Sequence, residues 1–102
     1  MNPAELAKIA KALADPTRLR IYEAIAQQDE VFCGELVEKH QLSPGTVSHH
    51  LKVLADAGLI ESRRDGQFIY NRARPNLVRK FCEALNKLAG AAGRVRRTQV
   101  DR

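Results

Sequence analysis

No stretch of this sequence approaches the roughly 20 consecutive apolar residues that a membrane-spanning helix needs, so no membrane partner is expected. Only two cysteines occur, Cys33 and Cys82. They are few and far apart, which excludes the disulfide-stapled scaffold of a small secreted domain. The opening residues, MNPAELAKIAKALAD, carry charges and helix caps where a signal peptide would carry an apolar core, and a cytoplasmic protein is expected. There is no Ser/His/Asp or Cys/His arrangement with a shared site, no phosphate-cradling glycine loop and no carboxylate pair. No enzyme and no cofactor are therefore expected. Internal repeats, linkers and low-complexity segments are also missing.

What is present is one domain's worth of chain. Its 102 residues, 44% hydrophobic and 28% charged, match an ordinary globular protein with a thin core. The net charge of +5 is unevenly placed. Residues 1–58 carry six basic and eight acidic groups, whereas every segment after Gly58 has a basic surplus. Localised positive charge of this kind displaces counterions from phosphates.

Five helices and a hairpin are legible. Asn2 and Pro3 open the first helix, striped by Leu6, Ile9, Ala10 and Leu13. Asp15 caps a second from Pro16, with Leu19, Ile21, Tyr22 and Ile25 as its buried set. Val31 to Cys33 read as a short strand before a third helix over about 34–39, with His40 in the following loop. Ser43 caps and Pro44 begins a fourth helix that Gly58 ends. Val47, Leu51 and Leu54 form its apolar stripe, with His50 at the edge. At about 100° per residue, Gly45, His49, Lys52 and Asp56 point away from that stripe, flanked by Thr46 and Ser48. A short helix, a tight turn and a longer helix with a small, polar, partly cationic outer face is helix-turn-helix geometry.

Asp65-Gly66 between two β-rich runs then signals a hairpin, with Arg63 and Arg64 on the way out and Arg72 and Arg74 on the return. A basic hairpin directly after such a helix is a wing suited to a phosphate backbone or a minor groove. Pro75 opens the last helix, whose apolar arc of Leu77, Val78, Phe81, Leu85, Leu88, Ala89 and Ala92 is wider than one thin domain can cover. The fold class is thus mainly α with a small β-hairpin, a winged helix-turn-helix of five helices that dimerises through its first and last helices. Residues 1–92 make the DNA-binding and dimerisation domain, and 93–102 a basic, disordered tail.

The runs ALADPTRLRIYEAI and CGELVEKHQLSPGTVSHHLKVLADAGLIESRRDGQFIYNRA resemble the ArsR–SmtB family of small bacterial winged-helix repressors. The likeness spans Leu6 to Arg74, most of the chain. It implies a homodimer that represses transcription from a near-palindromic operator. Its DNA contacts would be Ser43, Gly45, Thr46, Ser48 and His49, with Lys52 on phosphate and Arg63, Arg64 and Gln67 from the wing. His50 would pack rather than bind, and Arg18 and Arg20 would touch phosphate or solvent.

Many relatives sense metals, and here the chain departs from the pattern. Arsenic and cadmium sensors carry Cys-x-Cys where this chain has Phe32-Cys33-Gly34, and zinc sensors carry Asp and His on a last helix that here offers only Glu83. No metal ligand set is assigned. The remaining candidates for a signal are Cys33, ahead of a helix N-terminus that would stabilise a thiolate, and Cys82, at the rim of the last helix's apolar arc. Together they form a possible redox switch, with two packed thiols as the plain alternative. A repressor without any ligand, a metal- or metalloid-responsive repressor and a winged-helix module that binds protein all stay open.

Overall fold

All four prolines of the chain occupy the first position of a helix, where the missing N–H leaves no bond unmade. In the computed structural model, which describes residues 1–96, α1 spans Pro3–Leu13, α2 Pro16–Ala26, α3 Cys33–His40, α4 Pro44–Asp56 and α5 Pro75–Arg96. Three strands, β1 Val31–Phe32, β2 Ile60–Asp65 and β3 Phe68–Ala73, complete the fold. The expected caps are in place. Asn2 Oδ1 accepts from the Glu5 N–H at 2.8 Å while Glu5 Oε1 accepts from the Asn2 N–H at 2.9 Å, a reciprocal capping box. Asp15 accepts from the Arg18 N–H at 2.8 Å, and this backbone bond is the main reason its carboxyl lies below its usual range.

The helix-turn-helix corner depends on two left-handed residues. Gln41, at φ 53°, ends α3, and only residues 41–43 separate it from α4. Gly58, at φ 81°, ends α4 in a Schellman arrangement: its N–H donates to Ala55 O and the Leu59 N–H donates to Leu54 O. The chain then turns straight into β2.

The core gathers Ile9 and Ala12 of α1, Ile21, Ala24 and Ile25 of α2, Leu36 of α3, the α4 stripe Val47, Leu51 and Leu54, and Val31, Leu59 and Ile60. Several sequence expectations are corrected here. Leu19 is 47% exposed and Ala10 also faces out, because burial on α2 follows the helical period through Ile21, Ala24 and Ile25 rather than residue size. Cys33 begins α3 instead of ending the strand, and His40 is the last residue of that helix rather than part of the loop.

The wing belongs to a three-stranded antiparallel sheet in the order β1-β3-β2. Asp65 pairs with Phe68, so Gly66 and Gln67 alone form the turn. Gly66 has φ 64° and Gln67 has no positive φ, the pattern of a type II′ hairpin. Asn71 lies at the centre of the sheet with no exposed surface. Its Nδ2 donates to Val31 O at 3.1 Å and its Oδ1 accepts from Ser62 Oγ at 2.8 Å, so one amide joins all three strands. The helix α5 runs past Gly93, where the tail was expected to begin, and residues 97–102 lie outside the described residues. Leu77, Val78 and Phe81 pack on the core, whereas Leu85 and Leu88 remain 44% and 59% exposed.

Two substitutions separate these supports. Asn71→Ala leaves Val31 O without its donor and is expected to lower unfolding free energy by about 2 kcal/mol. Gly58→Ala forces a Cβ into the left-handed region and to 3.3 Å from Leu77 Cδ2, for an expected loss of about 1–2 kcal/mol. Urea titration of each variant checks both values, and an unchanged midpoint for Asn71→Ala would show that the amide does not tie the sheet.

Candidate nucleic-acid interface

The outer face of α4 is bare. Ser43, Gly45, Thr46, Ser48, His49 and Lys52 are all exposed, while the opposite face holds the buried stripe. A Cβ added to Gly45 would meet nothing within 4 Å, so the backbone at the start of α4 is open to close approach by a partner. Ser43 does double duty: its Oγ accepts from the Thr46 N–H at 3.1 Å as the helix cap and lies 2.8 Å from Thr46 Oγ1. Lys52 Nζ meets Asp56 Oδ2 at 3.3 Å, an exposed i,i+4 pair. Such a pair is worth only a few tenths of a kcal/mol, about what a competing phosphate easily displaces.

The wing arginines divide. Arg63, expected as a DNA contact from the wing, is engaged within the protein: its guanidinium grips Glu30 in a fork, Nε to Oε2 at 2.8 Å and Nη2 to Oε1 at 2.9 Å. It also lies 4.7 Å from the centroid of the Tyr70 ring, an arrangement with cation–π character. The same bond holds the Glu30 carboxyl below its usual range and raises Arg63. The sequence carried no signal for this pair, although Arg63 faces Tyr70 across the hairpin. The long separation between Glu30 and Arg63 hid the contact. Arg64 alternates to the other side of β2 and forms no salt bridge among the described residues, and Gln67 stands exposed in the turn. Phe32 supports the hairpin from beneath, edge-on to Phe68 at 5.2 Å between ring centroids.

Comparison with known proteins follows the same lines. Residues 13–63 match the family model described as a helix-turn-helix domain. The arsenical resistance operon repressor of Staphylococcus xylosus is 34% identical over 87 residues, covering 85% of this chain and 79% of that protein. The chain belongs to the ArsR family. An ArsR-like transcriptional regulator from Rhodococcus sp. RHA1 superposes with a TM-score of 0.83 at 25% identity, over 97% of this chain and 96% of that one. A homodimeric winged helix-turn-helix DNA-binding domain from Mycobacterium bovis, described as a possible ArsR-family regulator, has a TM-score of 0.69 at 30% identity, covering 86% and 80%. This ArsR-family chain is a DNA-binding regulator of transcription.

Among the described residues, no three His, Cys, Asp or Glu side chains converge to hold a metal ion. Cys33 and Cys82 are both free thiols. Cys33 is half-buried, 3.9 Å from Asn71 Nδ2, and lines a largely apolar groove of about 470 Å³ between α3, the start of α4 and the wing. Cys82 is exposed on α5. None of the described helices is long and apolar enough to cross a membrane.

Two imidazoles, His50 of α4 and His40 of α3, lie below their ordinary value. Burial pushes His50 below its ordinary value, opposed by Asp15 and reinforced by Arg18 and His49. Burial also lowers His40, whose Nε2 is enclosed without a partner. Both groups bind protons less readily folded than unfolded. Their contribution to stability is therefore complete above pH 6.5 and lost as pH falls through the depressed folded values. Thermal melts are expected to show Tm falling from pH 6.5 to 5, above the range in which Asp15 and Glu30 titrate. A Tm that is flat across this window would mean that neither ring is desolvated.

Proposed function

We propose that this chain acts as a homodimeric repressor that seats α4 in successive major grooves of a near-palindromic operator. The observation that carries the reading is the bare outer face of α4, where Gly45, Thr46, Ser48 and His49 stand exposed with no structural task beyond the Ser43 cap. Hydroxyls and an imidazole in the first turns of such a helix are placed to meet base edges, and Ser43 contributes beside them. Lys52, Arg64 and Gln67 meet the backbone phosphates. Arg63 then serves the wing by bracing it on Glu30, and its own phosphate contact requires release from that carboxylate. The exposed Leu85 and Leu88 on α5 supply an apolar strip for a second copy, in keeping with the homodimeric relative from Mycobacterium bovis.

The test is enrichment of duplexes from a random pool, followed by binding of the selected duplex and of a random one. Gly45→Ala replaces a first-turn glycine in open space and is expected to raise stability by up to about 0.5 kcal/mol. It should nonetheless weaken the selected complex, because the added methyl stands where the groove must close. Arg64→Ala should weaken both duplexes alike and reduce the salt slope by about one. Failure of the wild-type chain to enrich any sequence would overturn the reading. Binding indifferent to salt would favour a protein partner instead.

A thiol-based switch through Cys33 and Cys82 is a second reading, favoured by the exposure of Cys82 beside the α5 apolar strip and by the contact of Cys33 with the Asn71 amide that joins the sheet. Mild peroxide should then release the selected duplex from the wild-type chain and leave a Cys33→Ser, Cys82→Ser variant bound. Equal behaviour of the two would remove the switch.

A further inference from the structure

Arg18 is the side chain through which α1 and α4 meet in a polar contact. Its backbone N–H is spent on the Asp15 cap, and its guanidinium reaches away from α2 in three directions. Nε donates to Ala12 O, Nη2 donates to Lys11 O at 3.3 Å, and Nη1 lies 3.2 Å from His50 Nδ1. The first two acceptors are carbonyls in the last turn of α1, where intrahelical donors run out; Lys11 O also accepts from the Ala14 N–H at 3.2 Å. Arginine is donor only, so His50 must accept at Nδ1 and carry its proton on Nε2. His50 lies at the margin of the α4 stripe and directly beside His49, the two rings 5.8 Å apart.

An apolar stripe holds a helix against a core without fixing its rotation tightly, since aliphatic contacts are non-directional. A planar guanidinium anchored at two carbonyls is directional. We propose that Arg18 is a positioning residue for DNA recognition, fixing the rotation of α4 against α1 through His50 and thereby the aim of Ser48 and His49. This rests on the reading of α4 as the DNA-contacting helix. The bond lasts only while His50 is neutral: protonation at Nδ1 converts the acceptor to a donor and sets two cations face to face. The charged and titratable groups around His50 are Asp15 before α2, Arg18 on α2 and His49 on α4. Asp15 favours the imidazolium and the other two oppose it.

The experiment compares the duplex selected by the wild-type chain with a random duplex, and reads the ratio of the two dissociation constants from pH 7.5 to 5.5. Arg18→Lys keeps the charge but not the fork, and His50→Leu removes the acceptor. Each is expected to lower the ratio about tenfold at pH 7.5, as the loss of one good base contact would, while random-duplex binding stays nearly constant. His50→Asn keeps an acceptor at the δ position that does not titrate. It should retain the wild-type ratio at pH 7.5 and hold it at pH 5.5, where the wild type declines. His49 is present in both, so the difference between them isolates His50. Thermal melts verify that each variant is folded. An unchanged ratio in His50→Leu overturns the proposal, since the stripe alone would then set the rotation. A loss shared equally by both duplexes in Arg18→Lys also overturns it, making Arg18 a phosphate contact. A wild-type chain that selects no sequence defeats the reading of α4 itself.

Discussion

The one-sided burial of α4 is the constraint on which the rest depends. Val47, Leu51 and Leu54 sink into a core built with Ile21, Ile25 and Leu36, and the other face is left uncovered, from Ser43 to Lys52. A chain of 102 residues has little material for this. Every neighbouring element is therefore placed on the buried side of α4: α2 and α3 pack beneath it, and the Gly58 turn sends β2 away from its end instead of across it. The helix is held as firmly as a core helix and exposed as fully as a surface one.

The wing is governed by a different balance. A hairpin that projects from a small domain has little apolar surface with which to hold its angle. Here the angle is set by polar bonds at its root, the Asn71 amide across three strands and the Arg63 fork on Glu30. The Arg63 pair is largely exposed, so its net contribution to stability is small. Its value is geometric, because a forked guanidinium on a carboxylate admits few orientations. Committing Arg63 to that brace leaves Arg64, on the opposite side of the strand, without an ion pair among the described residues.

The local signals in the sequence were legible because each acts over a few residues. Four prolines, three side-chain caps and the Gly58 and Gly66 turns mark the helix and hairpin ends directly, and the α4 stripe follows from its period. Pairings between residues distant in the chain were not legible. Nothing near Arg63 announces Glu30, and nothing near Arg18 announces His50, 32 positions away. Asn71 reads as an ordinary polar strand residue until the third strand is known. Leu19 misled for the opposite reason: a large aliphatic side chain was taken for core when the helical phase puts it outside. The bare face of α4 was visible in sequence as a surface, whereas the Arg18–His50 contact behind it belongs to the tertiary fold alone.

The composition of the α4 face makes its own argument for function. Gly45, Thr46, Ser48 and His49 are all weaker helix formers than alanine, leucine or lysine, and together they forgo roughly 2 kcal/mol of intrinsic propensity. Solvent alone would be served as well by glutamate and lysine, which would also strengthen the helix. Local rules are broken where a fold is made to do something besides fold, and here they are broken along one face of one helix. The same face is small at its start, where a groove is approached most closely, and cationic only at Lys52, farther along. A merely solvated surface has no reason to be graded in that order, and a helix that must enter a groove by its N-terminal end does.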